Sequence, residues 1–261
     1  MPPSWPPGGW TTHRVTRRPW CSRARTAGLP VKCVAWIQQK TLSAYFVRTD
    51  SGINTWKDFE GKSIGDTPGS TGRVLFPLTA KKAGLDPDKV TFVPTTPQTG
   101  PGLFAAKKID IFAQFIVGQP LVRSAAGSPV KSFKVADMIP GLGGNCLMVT
   151  DQKLREKPDE VRKFTAALLK GLQWSLDNPG AAGAILQKHV PLADYKLAAN
   201  ELRLMKRFSR DAVTKKQGLG YIDPKRMDAT ASIINNFFKP KERVTRADIF
   251  APGFLPKKPI R

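Results

Sequence analysis

The chain has 261 residues, 41% of them apolar, enough for one large domain or two modest ones with a packed core. Lys and Arg number 42 against 20 Asp and Glu, a formal charge of +22 that draws anions, nucleic acid or anionic surfaces. No apolar run reaches the roughly 18 residues of a membrane span, and three dispersed cysteines (Cys21, Cys33 and Cys146) with no CxxC exclude a disulfide framework and a zinc site.

The first 29 residues hold five Arg, five Pro and three Trp, with no Asp, Glu or Lys. They show no apolar periodicity and lack the continuous apolar core of a secretory signal. Such a composition buries too little to order itself. Residues 1–28 are therefore read as an aberrant or disordered leader, with Met1 to Ala27 expected to be weakly packed.

From Val31 the pattern becomes regular. VKCVAWIQQ and LSAYFVRT are short and β-rich, TWKDFEG is a helical turn with a glycine stop, and KSIGD is a buried strand. GSTGRVLFPLTAKKAGL is a helix with Val74, Leu75, Leu78 and Ala83 at helical spacing and Gly84 at its end. Strand KVTFVPT, helix TGPGLFAAKKID, strand IFAQFIV, helix GQPLVRSAAG and strand VKSFKVADM follow. This alternation predicts βαβ units, a mostly parallel sheet and an α/β fold. After GNCLMVT the texture turns helical. PDEVRKFTAALLKGLQWSLDN is a long amphipathic helix with Leu168, Leu172 and Leu176 on one face, three more helices follow, and the tail is Pro-rich and extended.

No catalytic constellation is present. GxSxG is absent, GSTG lacks the Lys-Ser/Thr ending of a phosphate-binding loop, and His13 and His189 have no metal-ligand neighbours at helical spacing. No cofactor, metal site or catalytic residue is assigned. The basic residues are scattered, without a zinc-finger spacing, an aromatic RNA-binding motif or a basic zipper, so nucleic acid is not an expected partner.

Small polar and aromatic groups instead gather where strands end, the place where ligands bind in α/β sheets. They are Trp36 and Gln38 after the first strand, Pro68, Gly69, Ser70, Thr71 and Gly72 at a helix start, Gln114 and Phe115 in an apolar strand, and Asn145 in GLGGNC. Each has a plainer role open to it: Trp36 as core, Gln38 as surface, Gln114 bonded to a loop, Asn145 in a turn. The stretch GKSIGDTPGSTGRVLF raises the same choice, because its Ser and Thr suit a helix cap. Its two glycines would also open the unpaired N–H groups of a helix start to a ligand.

Three landmarks in order, GINTWKDFEGKSIGDTPGSTGRVLFPLTAKKAGLDPDKVTFV, LFAAKKIDIFAQFIVGQPLV and GNCLMVTDQKLREKPDEVRKFTAALLKGLQWSLDNP, resemble the solute-binding proteins of ABC importers. The similar branch handles thiamine-pyrimidine precursors, sulfonates, taurine and nitrate. The resemblance implies a type II periplasmic-binding-protein fold, with two α/β lobes closing over a ligand by hinge motion. Residues 29–61 and 145–261 would form lobe I, and residues 62–144 lobe II. The ligand would be a small polar or anionic molecule anchored by PGSTG. The chain would be a periplasmic monomer that serves membrane permease subunits and has no enzymatic activity. Family members open with a signal peptide, a strand, a loop and a helix, and the first 29 residues here depart from that pattern. Lobe I is therefore expected to be incomplete, its sheet one strand short. An alternative is an enzyme like the thiamine-pyrimidine synthases of the same fold, whose Cys-rich motif and active-site His are absent here. A basic nucleic-acid-binding protein is the third reading, motivated by charge alone.

Overall fold

The computed structural model describes residues 30–260. The expected disorder of Met1 to Ala27 lies outside the described residues. Strands β1 (Val31–Trp36), β2 (Ser43–Arg48), β3 (Ser63–Asp66), β4 (Thr91–Pro94), β5 (Ile111–Phe115), β6 (Val130–Lys134) and β7 (Cys146–Thr150) form two separate sheets. Five of them lie in the order β4-β3-β5-β2-β6, and β1 pairs with β7 in a two-stranded ladder.

In the larger sheet β3 is parallel to β4 and β5, while β2 runs antiparallel to both β5 and β6. The mostly parallel expectation thus holds for four strands, and β2 runs against them. All six residues of β2 are buried because helices cover both faces. Ala44 and Phe46 point to one side, where Phe104, Phe112 and Val122 pack from α2 (Gly100–Ala105), β5 and α3 (Gln119–Ala126). Tyr45 and Val47 point to the other, where α1 (Thr71–Ala83) and the 3-10 turn Lys57–Phe59 supply Leu75, Phe76 and Phe59. Tyr45 stands at the centre of this second cluster, edge-on to Trp56, Phe59 and Phe76 at centroid distances of 5.6, 5.9 and 5.7 Å. Ser70 caps α1 by accepting from the Arg73 N–H, and Gly84 closes it in the left-handed conformation (φ +66°) that glycine takes without penalty.

β2 belongs to the five-stranded sheet and β1 to the ladder, so the chain passes from one sheet to the other in the segment between β1 and β2.

The ladder carries a bulge. Val31, Lys32 and Cys33 face Thr150, Val149 and Met148, but Ala35 and Trp36 face Leu147 and Cys146, so β1 has one extra residue. Strict alternation would send Cys33 and Trp36 to opposite faces. With the extra residue both join one apolar cluster, together with Met227 and Ile234, while Val34 and Ala35 pack on the reverse face.

That reverse face is covered by the long helix. After α4 (Val135–Met138) and α5 (Asp151–Glu156), α6 (Pro158–Asp177) buries Val161, Thr165, Leu169 and Leu176. Of the expected leucine row, Leu176 is buried and Leu172 packs against the same cluster, whereas Leu168 is 36% exposed and Leu169 takes its place in the core. Helices α7 (Pro179–His189), α8 (Tyr195–Ser209) and α9 (Ala212–Gln217) follow, then α10 (Pro224–Ile233) with a π turn at Ile234–Phe238, and α11 (Arg246–Ile249). Among the described residues no helix is long and apolar enough to cross a membrane.

Candidate functional site: a cavity between two bodies

Two segments cross between the five-stranded sheet and the ladder, residues 37–42 and 139–145. They are hydrogen-bonded to each other: Ile37 and Gln38 N–H to the Asn145 carbonyl, Gly144 N–H to the Gln38 carbonyl, and Thr41 N–H to the Leu142 carbonyl. Glycine is required at this crossing. A Cβ on Gly144 would lie 2.5 Å from the Lys40 carbonyl oxygen, and one on Gly143 would strike the Trp36 ring.

Beside the crossing lies a cavity of about 410 Å³, a size typical of small-molecule sites. The five-stranded body contributes Thr71, Leu75 and Phe115, and the ladder contributes Cys33, Trp36, Cys146 and Met148. Leu142, Gly143, Gly144 and Asn145 come from the crossing, and Met227, Thr230, Ile233, Ile234 and Phe238 from α10 and the π turn. Among the described residues, no charged side chain is part of this wall. Its polar groups are hydroxyls, thiols and the Asn145 amide.

Four of the residues expected to bind ligand meet here: Trp36, Thr71, Phe115 and Asn145. The others are engaged elsewhere. Gln38 is 3% exposed, and its Oε1 accepts the Asn145 N–H at 3.2 Å. Its neighbour Gln39 donates to the Tyr221 carbonyl and accepts from Arg226, which is paired with Asp211 at 2.6 Å. Both glutamines therefore fasten the crossing to the C-terminal helices. Gln114 accepts the Phe115 N–H at 2.8 Å through its own Oε1. Pro68 and Gly69 form an exposed turn.

The helix start itself is used internally. Ser70 Oγ accepts from Arg73 N at 3.0 Å and donates to Asp66 Oδ2 at 2.7 Å, while Asp66 Oδ1 accepts from Thr67 N. A carboxylate of the chain already lies at the positive end of α1. Burial pushes the Asp66 pKa up to about 6, against the lowering effects of Ser70, Thr67 and Arg73. Gly72 is buried, its carbonyl accepts from the Tyr45 hydroxyl at 2.9 Å, and an added Cβ would meet Asp66 and Tyr45 at 3.6 Å. Burial first, and then Asp66, raises the Tyr45 pKa well above its ordinary value. Of PGSTG, only Thr71 lines the cavity. The bulge in β1 and the lining from α10 and the π turn were not readable from local pattern, since both depend on pairing partners over a hundred residues away.

Residues 15–182 match the family model described as NMT1/THI5 like. A riboflavin-binding protein, RibY of Chloroflexus aurantiacus, is 29% identical over 205 residues, which cover 77% of this chain and 58% of that protein. The chain thus spans under two thirds of the length of this curated relative. Among solved structures, the aliphatic sulphonate binding protein SsuA of Escherichia coli superposes with a TM-score of 0.64 at 14% identity, covering 92% of this chain and 75% of that one. The desulfurization enzyme DSZB superposes with a TM-score of 0.58 at 14% identity, over 90% and 81% of the respective chains. The shared fold thus hosts both binding and catalysis. With nearly two thirds of its residues inside the family match, and with the fold of periplasmic binding proteins of the SsuA type, this chain belongs to the NMT1/THI5-like family.

Proposed function

We propose that the protein is a solute-binding component of an ABC importer, which holds a small molecule between its two bodies and hands it to membrane permease subunits on the periplasmic side. The observation that carries this reading is the cavity itself. It is bounded by both bodies and by the two crossing segments, so a ligand in it would touch everything that a hinge motion brings together.

The chemistry of the wall sharpens the ligand class. A bare nitrate or a taurine zwitterion would be stripped of water with no opposite charge to meet it, a cost of several kcal/mol on the order of those for buried ions. An uncharged body with a flat aromatic part fits better, stacking on Trp36 or Phe115 and bonding its polar edge to Asn145 and Thr71. The likeness to a riboflavin-binding protein supports a fused heteroaromatic ligand. A simple pyrimidine and a sulfonate carried on an apolar group are weaker candidates.

Calorimetric titration of the full chain with riboflavin, an aminopyrimidine and an alkanesulfonate tests the reading, with mass analysis of the recovered ligand. The expected result is saturable binding of one ligand per chain, tightest for the aromatic, and a ligand recovered unchanged. Conversion of the ligand would favour the enzyme reading instead. One observation speaks for that second reading: Cys33 and Cys146, dispersed in sequence, both line the cavity.

A further inference from the structure

We propose that the apex joining α7 to α8 is a docking site for an anionic lipid surface, which Leu192 enters and which Lys188 and Lys196 hold by charge. Large apolar side chains lie exposed in close succession here: Ile185, Leu186, Val190, Leu192 and Tyr195. The Val190 N–H donates to the Leu186 carbonyl at 2.8 Å, so these two residues sit one turn apart at the end of α7. Beyond them the Ala193 N–H donates to the Val190 carbonyl at 2.9 Å, which closes a tight turn with Pro191 and Leu192 at its tip. Leu192 is 99% exposed, so almost none of it is covered by the rest of the described chain.

A rigid base holds the tip out. Gly183 is buried where α7 meets α8, and a Cβ on it would strike the Tyr195 carbonyl, so the two helices pack backbone to backbone. The single acid of residues 178–200 is Asp194, and it is used within the chain. Its Oδ1 accepts the N–H groups of Lys196 and Leu197 at 2.8 and 3.0 Å. Lys188 and Lys196 in the same stretch are exposed, and among the described residues neither is in an ion pair. The Lys196 Nζ lies 5.8 Å from the centroid of the Tyr195 ring, which sets a cation and an amphipathic ring together beside the tip.

Shape and charge together choose the occupant. A leucine exposed on all sides is a protrusion and not the wall of a groove. A bilayer receives such a side chain without needing a matching pocket, and burying it there removes a whole leucine from water. Lysines without carboxylate partners beside the apolar tip favour anionic headgroups, which attract basic groups close to the surface. The charge of +22 adds a longer-range pull toward the same surface and works against pairing with a second copy. Docking at this apex would hold the ladder body on the membrane whatever the cavity contains. It does not rest on the solute reading, and either can fail alone.

The test is flotation of the full chain with vesicles of equal parts phosphatidylglycerol and phosphatidylcholine, and with vesicles of phosphatidylcholine alone, at physiological ionic strength. A chain this basic adheres to anionic vesicles through charge alone, so the informative variant is Leu192→Ser. It leaves the net charge as it is and, at a side chain with almost no packing, leaves the fold intact. The expected result is binding to the anionic vesicles and not to phosphatidylcholine, weakened about tenfold or more by Leu192→Ser. Lys188→Gln and Lys196→Gln together should also weaken it about tenfold or more. Binding that Leu192→Ser leaves unchanged overturns the proposal, because charge alone then accounts for it. No binding to the anionic vesicles overturns it as well. So does a dimer, seen by sedimentation without lipid, that Leu192→Ser dissociates, since the tip then belongs to a second copy.

Discussion

The two bodies that meet at the cavity differ in how completely they bury themselves. The five-stranded body holds a central strand buried along its whole length, flanked on both faces by aromatic clusters in which Tyr45, Phe46, Phe59 and Phe104 have essentially no exposure. The ladder body rests on two strands, and its helices leave Phe164, Trp174, Ile185 and Val190 between 44% and 60% exposed, with Leu192 at 99%. Among the described residues, only Phe115 and Leu121 of the exposed large apolar residues come from the other body. A sheet covered on both sides excludes water by itself, while a two-stranded ladder is marginal without the helices packed on it. The difference predicts that the five-stranded body is the fixed wall of the cavity and that the ladder body opens more readily.

The largest expected effect tests the fixed wall. Phe59→Ala removes a ring that touches Tyr45, Trp56 and Phe133. It should cost about 3–5 kcal/mol in denaturant unfolding. Leu169→Ala, under the ladder, should cost about 2–4 kcal/mol. Its increase in hydrogen exchange should stay within residues 146–260, leaving β2 and β5 protected. Equal loss of protection in both bodies would erase the proposed distinction.

The two bodies should also answer acid differently. Asp66 has a pKa raised to about 6 from 3.8, so the folded state binds its proton first, and stability rises as pH falls from about 6 to about 4. Asp177, on the ladder side, is held at about 2, mainly by its hydrogen bond from Arg210 and also by Lys206, and its contribution is lost as pH falls from about 4 to about 2. Asp66→Asn should remove the first slope, worth about 1–2 kcal/mol after discounting for partial solvent access. The check is the unfolding free energy at pH 4 and pH 6 in the two proteins. A wild-type slope that survives the substitution would assign it to another group.

Gly72→Ala is expected to give the smallest change, a gain of up to about 1 kcal/mol from helix propensity. The new Cβ faces Asp66 and Tyr45 at ordinary contact distance, and Gly72 does not line the cavity. Affinity for a bound solute should therefore not change. A tenfold loss of affinity would restore the ligand-anchor role that the sequence suggested for this glycine.

The strands and helices were legible because their signals are local: the Ser70 cap, the Gly84 stop, and the alternation that buries Ala44 and Phe46 opposite Tyr45 and Val47. The site was legible only in part. Trp36, Thr71, Phe115 and Asn145 were recognisable as small polar or aromatic groups at strand ends. Gln38 and Ser70 carry the same signal, yet one fastens the crossing and the other caps a helix beside a buried carboxylate. Residue type shows that a group can form hydrogen bonds, and only the fold shows whether a partner within the chain has taken them. Met227, Ile234 and Phe238 were invisible as lining because they arrive from the far end of the sequence.

On the proposed function, an uncharged wall built by both bodies receives an uncharged aromatic ligand. The most direct test is the affinity for riboflavin at low and at high salt, for the native protein and for Trp36→Ala. Binding should barely change with salt, and Trp36→Ala should weaken it about tenfold, or about 1.4 kcal/mol. Binding confined to anionic sulfonates, falling steeply as salt rises and indifferent to Trp36, would contradict it.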